Sequence, residues 1–80
     1  MNYLVVELQT SNGTTSAITY GYSTMNEAKA KYHLILSSAA LSNVEVHSSA
    51  LLDERGFLIV NEFFEHPAVQ EENDGQGDAE

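Results

Sequence analysis

The chain contains no cysteine. That excludes a disulfide framework, thiolate metal sites and a cysteine nucleophile, and it fits a reducing compartment. Cationic side chains are nearly as scarce, with three Lys and Arg against twelve Asp and Glu and a net charge of −9. Affinity for phosphate needs clustered Lys and Arg, so duplex nucleic acid and anionic membrane are repelled and are not expected as partners. No apolar run approaches the roughly 20 residues that cross a bilayer, and the opening MNYLVVELQ lacks the basic start of a signal peptide. The expected location is the cytoplasm. The five glycines form no phosphate-cradling pattern, and no serine sits in a nucleophile elbow.

What is present is a chain of 80 residues, enough for one small domain with little room for the pocket of roughly 300–1,000 Å³ that small molecules occupy. Its centre is the stretch TMNEAKAKYHLILSSAAL, residues 24–41. Thr24 and Glu27 have the spacing of a capping box, good helix formers follow, and neither Gly nor Pro interrupts the run. Ser42-Asn43 is the expected stop, with Asn suited to a left-handed cap. At helical periodicity Met25, Ala28, Tyr32, Ile35, Leu36 and Ala39 share one face, which is the predicted core stripe. Ala30, Leu34 and Leu41 form a weaker stripe opposite, read as ordinary surface residues or as a partner contact.

Residues 2–10 and 15–22 read as strands joined by Asn12-Gly13, whose tolerance of positive φ suits a two-residue hairpin turn. Gly21 is a candidate bulge. Residues 44–52 and 57–65 form a second strand pair across Asp53-Glu54-Arg55-Gly56, which suits a type I turn closed by a Gly bulge. The order β-β-α-β-β predicts an α+β fold, a four-stranded antiparallel sheet with one helix on one face. The domain should span residues 1–67. Pro67 ends it, and residues 68–80, with five acids in the last ten positions, read as a disordered acidic tail.

Facing is assigned by apolarity. Leu4, Val6 and Leu8 are the more uniformly apolar set of the first strand and are placed against the helix, with Ile18, Tyr20, Val46, Ala50 and Leu52. Leu52 then opposes Leu58, and Ala50 opposes Val60. Tyr3, Val5, Leu51, Ile59 and Phe63 fall on the other face. One helix cannot cover both sides, and a contiguous apolar face of several hundred Å² normally marks an interface. The commonest solution is a symmetric homodimer through this outer sheet face. A different protein and a monomer with an uncovered sheet are the alternatives. The negative charge adds a basic protein as a possible partner, although it also simply keeps a small protein soluble.

Catalysis and a cofactor are not expected of so small a domain without a nucleophile motif or room for a pocket, and a metal is not expected because no pair among His33, His47 and His66 has zinc-ligand spacing. His33 reads as a helix-surface residue and His66 as the end of a strand. His47 is placed on the outer face near Glu62 or Phe63. A His47–Glu62 pair at a dimer interface is the one arrangement that would support an enzyme or a ligand-sequestering protein.

Tyr32-His33 with Ile35-Leu36, Ala39-Ala40, Val46-His47-Ser48 and Asp53-Glu54 before Gly56 carry a resemblance. The block they occupy, residues 32–56, together with the aromatic and Val-rich opening strand and the acidic end, resembles a family of short acidic proteins of uncharacterised function. These are encoded in phages and prophages of Gram-positive bacteria. The resemblance implies a phage or mobile-element origin and supplies no catalytic or binding residues. The expected function is that of a small acidic accessory protein acting by protein–protein interaction, including inhibition of a host or defence protein.

Overall fold

A computed structural model describes residues 1–67, so the stretch 68–80, expected as a disordered tail, lies outside the described residues. Strands β1 (Tyr3–Ser11), β2 (Thr14–Tyr22), β3 (Val46–Asp53) and β4 (Leu58–Glu65) form one antiparallel sheet, and helix α1 (Met25–Leu41) packs on one side of it. The fold is α+β with the order β-β-α-β-β. In space the strands run β2-β1-β3-β4. The two hairpins therefore meet through β1 and β3, and β2 and β4 are the edges. No helix of the described residues is long and apolar enough to cross a membrane.

Local chemistry sets the element ends. Asn12 and Gly13 have φ of 55° and 79°, the paired left-handed conformations of a type I′ turn, and the strands on either side pair without interruption from Ser11–Thr14 to Tyr3–Tyr22. Gly21 lies within that regular register opposite Leu4, so it marks no bulge. The second turn closes through Gly56 N–H to Asp53 O (2.9 Å) and Asp53 N–H to Phe57 O (3.0 Å), with Gly56 at φ 89°. The Asp53 side chain reinforces it by accepting from the Arg55 and Phe57 amides at 2.8 and 3.2 Å. Helix α1 starts as expected, since the Thr24 hydroxyl accepts from the Glu27 amide at 3.2 Å. It ends differently. Ser42, not a left-handed Asn43, closes the last turn in an extended conformation, its N–H and hydroxyl both donating to Ala39 O.

The expected helix stripe is the buried one: Ala28, Tyr32, Ile35 and Ala39 are buried, and Met25 and Leu36 pack at its margin. Strands β1 and β3 present the opposite face from the one assigned by apolarity, while Ile18 and Tyr20 of β2 share the helix side as assigned. Val5 and Leu51 are wholly buried beneath the helix with Tyr3 packed beside them, while Leu4, Val6, Leu8, Ala50 and Leu52 point away from it. Two physical reasons account for the reversal. Ala28 and Ala39 let the helix lie close to the sheet, and Tyr3, Tyr20 and Tyr22 fill the margins of that layer better than shorter aliphatics would. Three polar members of the inner set, Glu7, His47 and Asp53, also find partners there, so their burial carries little of the penalty an unpaired polar group would incur, whereas the buried Ser49 hydroxyl has no partner.

The fourth strand holds a second irregularity. Leu52 pairs with Leu58 as expected, but the register shifts between Leu51 and Leu52, so Leu51 pairs with Val60 and Ala50 with Asn61. Ile59 is the extra residue. The shift puts Val60, Glu62 and Phe64 on the helix side and leaves Phe63 on the open side opposite Ser48, where Phe63 had been expected.

Candidate functional site

The open face of the sheet is a grid fixed by the pairing registers. Reading across β2, β1, β3 and β4, its rows are Gly21–Leu4–Leu52–Leu58, Thr19–Val6–Ala50–Asn61, Ala17–Leu8–Ser48–Phe63 and Thr15–Thr10–Val46–Glu65. None of these residues is buried. Leu58, at the start of β4, and Phe63, within it, are each 56% exposed, a high value for large apolar side chains of an ordered strand. Glu65, at one corner, is the one charged strand residue on this face among the described residues. Of the five residues expected to form the interface, Ile59 and Phe63 are exposed on β4, whereas Tyr3, Val5 and Leu51 belong to the inner core. Their places on the open face are taken by Leu4, Val6, Leu8, Leu52 and Leu58.

The inner face holds a polar cluster toward the C-terminal end of α1. Glu7 of β1 and His47 of β3 are hydrogen-bonded, Nε2 to Oε2 at 2.7 Å, with side chains 13% and 5% exposed. Gln9 Nε2 donates to the same carboxylate at 2.9 Å, and the Tyr20 hydroxyl donates to its other oxygen at 3.3 Å. On the far side of the ring, His47 Nδ1 lies 3.3 Å from the Ser42 hydroxyl that closes the helix. Burial pushes the Glu7 carboxyl up, but the hydrogen bonds from His47, Gln9 and Tyr20 and the His47 charge outweigh it and hold the group below its ordinary range. The cluster ties β1, β2, β3 and the helix end together.

His47 therefore points inward, not onto the outer face, and its partner is Glu7 and not Glu62. Glu62 shares the inner face, where its charge adds to burial in raising the Tyr32 hydroxyl above the usual range. The sequence carried one signal for the Glu7 pair: an acid at the centre of an apolar strand, in the alternation set of Tyr3 and Val5, needs a donor from a neighbouring strand. His33 is exposed on the helix. His66 lies past the end of β4 and is engaged: its Nε2 donates to Ala39 O at 2.8 Å, and its backbone N–H donates to Glu45 O. No group of three metal-ligating side chains comes together among the described residues.

Surface clefts are shallow and open. One of about 450 Å³ lies between Tyr3, Tyr22 and Glu54, and another of about 500 Å³ lies beside Glu45, Glu65 and His66. Neither is lined by His47 or Glu62. No protein family, no curated protein and no solved structure matches the chain.

Proposed function

We propose that this chain works by binding another protein chain through its open sheet face, and not by catalysis. The observation that supports the reading is the inversion of the sheet. It covers the side that carries Glu7, Ser49, His47 and Asp53 and leaves uncovered the side that carries Leu4, Val6, Leu8, Leu52, Leu58 and Phe63. Water contact with that many aliphatic and aromatic groups is unfavourable by about 25 cal/mol per Å². Soluble proteins rarely leave such a surface contiguous unless something docks on it. In this reading the chain is a small acidic accessory protein of the host cytoplasm, of phage type as the resemblance of residues 32–56 implies. A host or defence protein is among the targets such a protein would inhibit. A basic target would meet the acids of the turns and helix side, since the open face itself is almost free of charge.

The alternative, an enzyme or ligand-sequestering site using His47 and Glu62, has no observation in its favour. Both ring nitrogens of His47 are engaged, by Glu7 and Ser42. The experiment is co-purification of the tagged full chain from cells that express it, comparing Val6→Lys on the open face with Leu34→Lys on the exposed outer side of the helix. The expected result is that associated protein, whether a second copy or another chain, is lost with Val6→Lys and kept with Leu34→Lys. Equal retention by both variants would overturn the reading.

A further inference from the structure

We infer that the chain docking on the open face is a second copy of this protein, placed by a two-fold axis that runs parallel to the strands between β1 and β3. The inference rests on the binding reading above and names the occupant. Three features of the face converge on it.

The first is charge. A chain with a net charge of −9 would repel its own copy through any acidic surface, yet the open face has a single charged residue among the described residues, Glu65 at its corner. A face built for a basic partner would carry complementary acids, and this one keeps them elsewhere. The second is size. Four strands about 4.8 Å apart and eight or nine residues long give a face of roughly 500 Å². Two such faces together remove about 1,000 Å², the lower end of what specific association needs.

The third feature is shape, and it selects the axis. Large side chains occupy β1 (Leu4, Val6, Leu8) and β4 (Leu58, Phe63). The centre of β3 (Ala50, Ser48) and the whole of β2 (Gly21, Thr19, Ala17) carry small ones. The face is therefore two ridges alternating with two grooves. Rotation about a strand-parallel axis between β1 and β3 lays β1 over the partner's β3 and β4 over the partner's β2. Val6 then sits over Ala50, Leu8 over Ser48, and Phe63 over Ala17, so every ridge meets a groove. Rotation about an axis perpendicular to the strands would stack β1 on β1 and β4 on β4, ridge on ridge. Only at Leu4 and Leu52 do two large side chains meet across the strand-parallel axis, and leucines there can interdigitate. Glu65 falls at the rim, over Thr15, where it keeps its water. Aligned sheets pack with interdigitating side chains at about 10 Å separation, which this pattern satisfies.

The absence of native cysteine makes the test clean. Ala17 and Phe63 stand on opposite edges of one sheet, roughly three strand spacings or 14 Å apart, but come together across the proposed axis. In the full chain, Ala17→Cys with Phe63→Cys should give a covalent dimer with a short thiol cross-linker, while either substitution alone should stay monomeric on a denaturing gel. Sedimentation should show a wild-type dimer at high micromolar concentration, weakened about a hundredfold or more by Leu8→Lys, which places two like charges in the interface. Thr19→Lys, at an exposed position on the same face, gives the same readout should Leu8→Lys lose its circular dichroism spectrum. Cross-linking of a single-cysteine variant would overturn the axis. A wild-type monomer that binds a hydrophobic dye, with the dye lost in Thr19→Lys or Leu8→Lys, would overturn the second copy and leave the binding reading standing with a heterologous occupant. A monomer that binds no dye, or a dimer indifferent to both lysines, would overturn both.

Discussion

Leu51 and Leu52 are neighbours of the same type with opposite surroundings, which makes them a direct measure of how the sheet faces. Leu51 is wholly buried against the helix, and Leu52 is partly exposed on the other side. Truncating a buried leucine removes its transfer free energy and leaves a cavity that the surroundings fill only in part, at a cost of about 3–5 kcal/mol. At Leu52 solvent reaches the site, so no enclosed cavity forms and the loss is about 1–2 kcal/mol of partial burial. A domain of this length has a total stability on the order of 3–10 kcal/mol. Leu51→Ala should therefore lower Tm by roughly 12 °C or more, at about 4–8 °C per kcal/mol, and leave the chain partly unfolded at 37 °C. Leu52→Ala should lower Tm by about 4–16 °C on the same scale, less than half the shift of Leu51→Ala at mid-range. Urea and thermal melts followed by circular dichroism at low micromolar concentration, where association contributes least, read both numbers. A larger loss at Leu52 than at Leu51 would mean that β3 faces the other way and would take the open-face assignments with it.

Two further outcomes follow from the helix cap and the buried pair. Thr24→Ala removes the acceptor for the Glu27 amide and should cost about 1 kcal/mol, with the loss seen as lower helicity of the first turn by chemical shift. Glu7 has a folded-state pKa below its ordinary 4.5, so its contribution is fully present above that value and is lost as pH falls through the lower folded value. Glu7→Gln should thus destabilise the domain at neutral pH and shrink the loss of wild-type stability as the pH falls below 4.5. Equal acid sensitivity in both proteins would remove Glu7 from that account.

The turns, the helix and the element order were legible because each is dictated locally. Asn12-Gly13 requires positive φ, Asp53 and Gly56 bracket a type I turn, and Thr24-Glu27 opens a helix with one apolar stripe. The facing of β1 and β3 was not legible, because it is decided between strands. In β1 both alternation sets are apolar at their first positions, Tyr3 and Val5 against Leu4 and Val6, and the aliphatic count favours the wrong set. The reversal depends on Glu7 finding His47, forty residues away, and on Ser42 standing behind the ring. A single acid in an apolar strand hints at such a pair without naming the partner. The extra residue at Ile59 was hidden for a similar reason. The Gly56 turn already supplies one irregularity, and nothing in LIVNEFFE signals a second.

The inner core itself argues for a second copy through the concentration dependence of its melting. Among the described residues only Val5, Ala28, Tyr32, Ile35, Ala39 and Leu51 are buried apolar groups, and two of these are alanines. A core that small supplies marginal stability at this chain length, and small domains commonly gain the remainder from association. If the open face closes on a copy, folding and dimerisation are linked, and the folded state is favoured by mass action. With an unfolding entropy of about 2.1 cal/mol/K per residue, two domains of some 67 described residues each have a combined value near 0.28 kcal/mol/K. A tenfold rise in protein concentration, equivalent to about 1.4 kcal/mol, should then raise Tm by about 5 °C. Differential scanning calorimetry from 10 μM to 1 mM, on the order of two decades, would show a rise of about 10 °C for the dimer and none for a monomer. Leu8→Lys should flatten the slope while keeping the transition cooperative, because it removes the second copy and leaves the helix-side core untouched. A flat wild-type profile would mean that the small inner core holds the fold by itself.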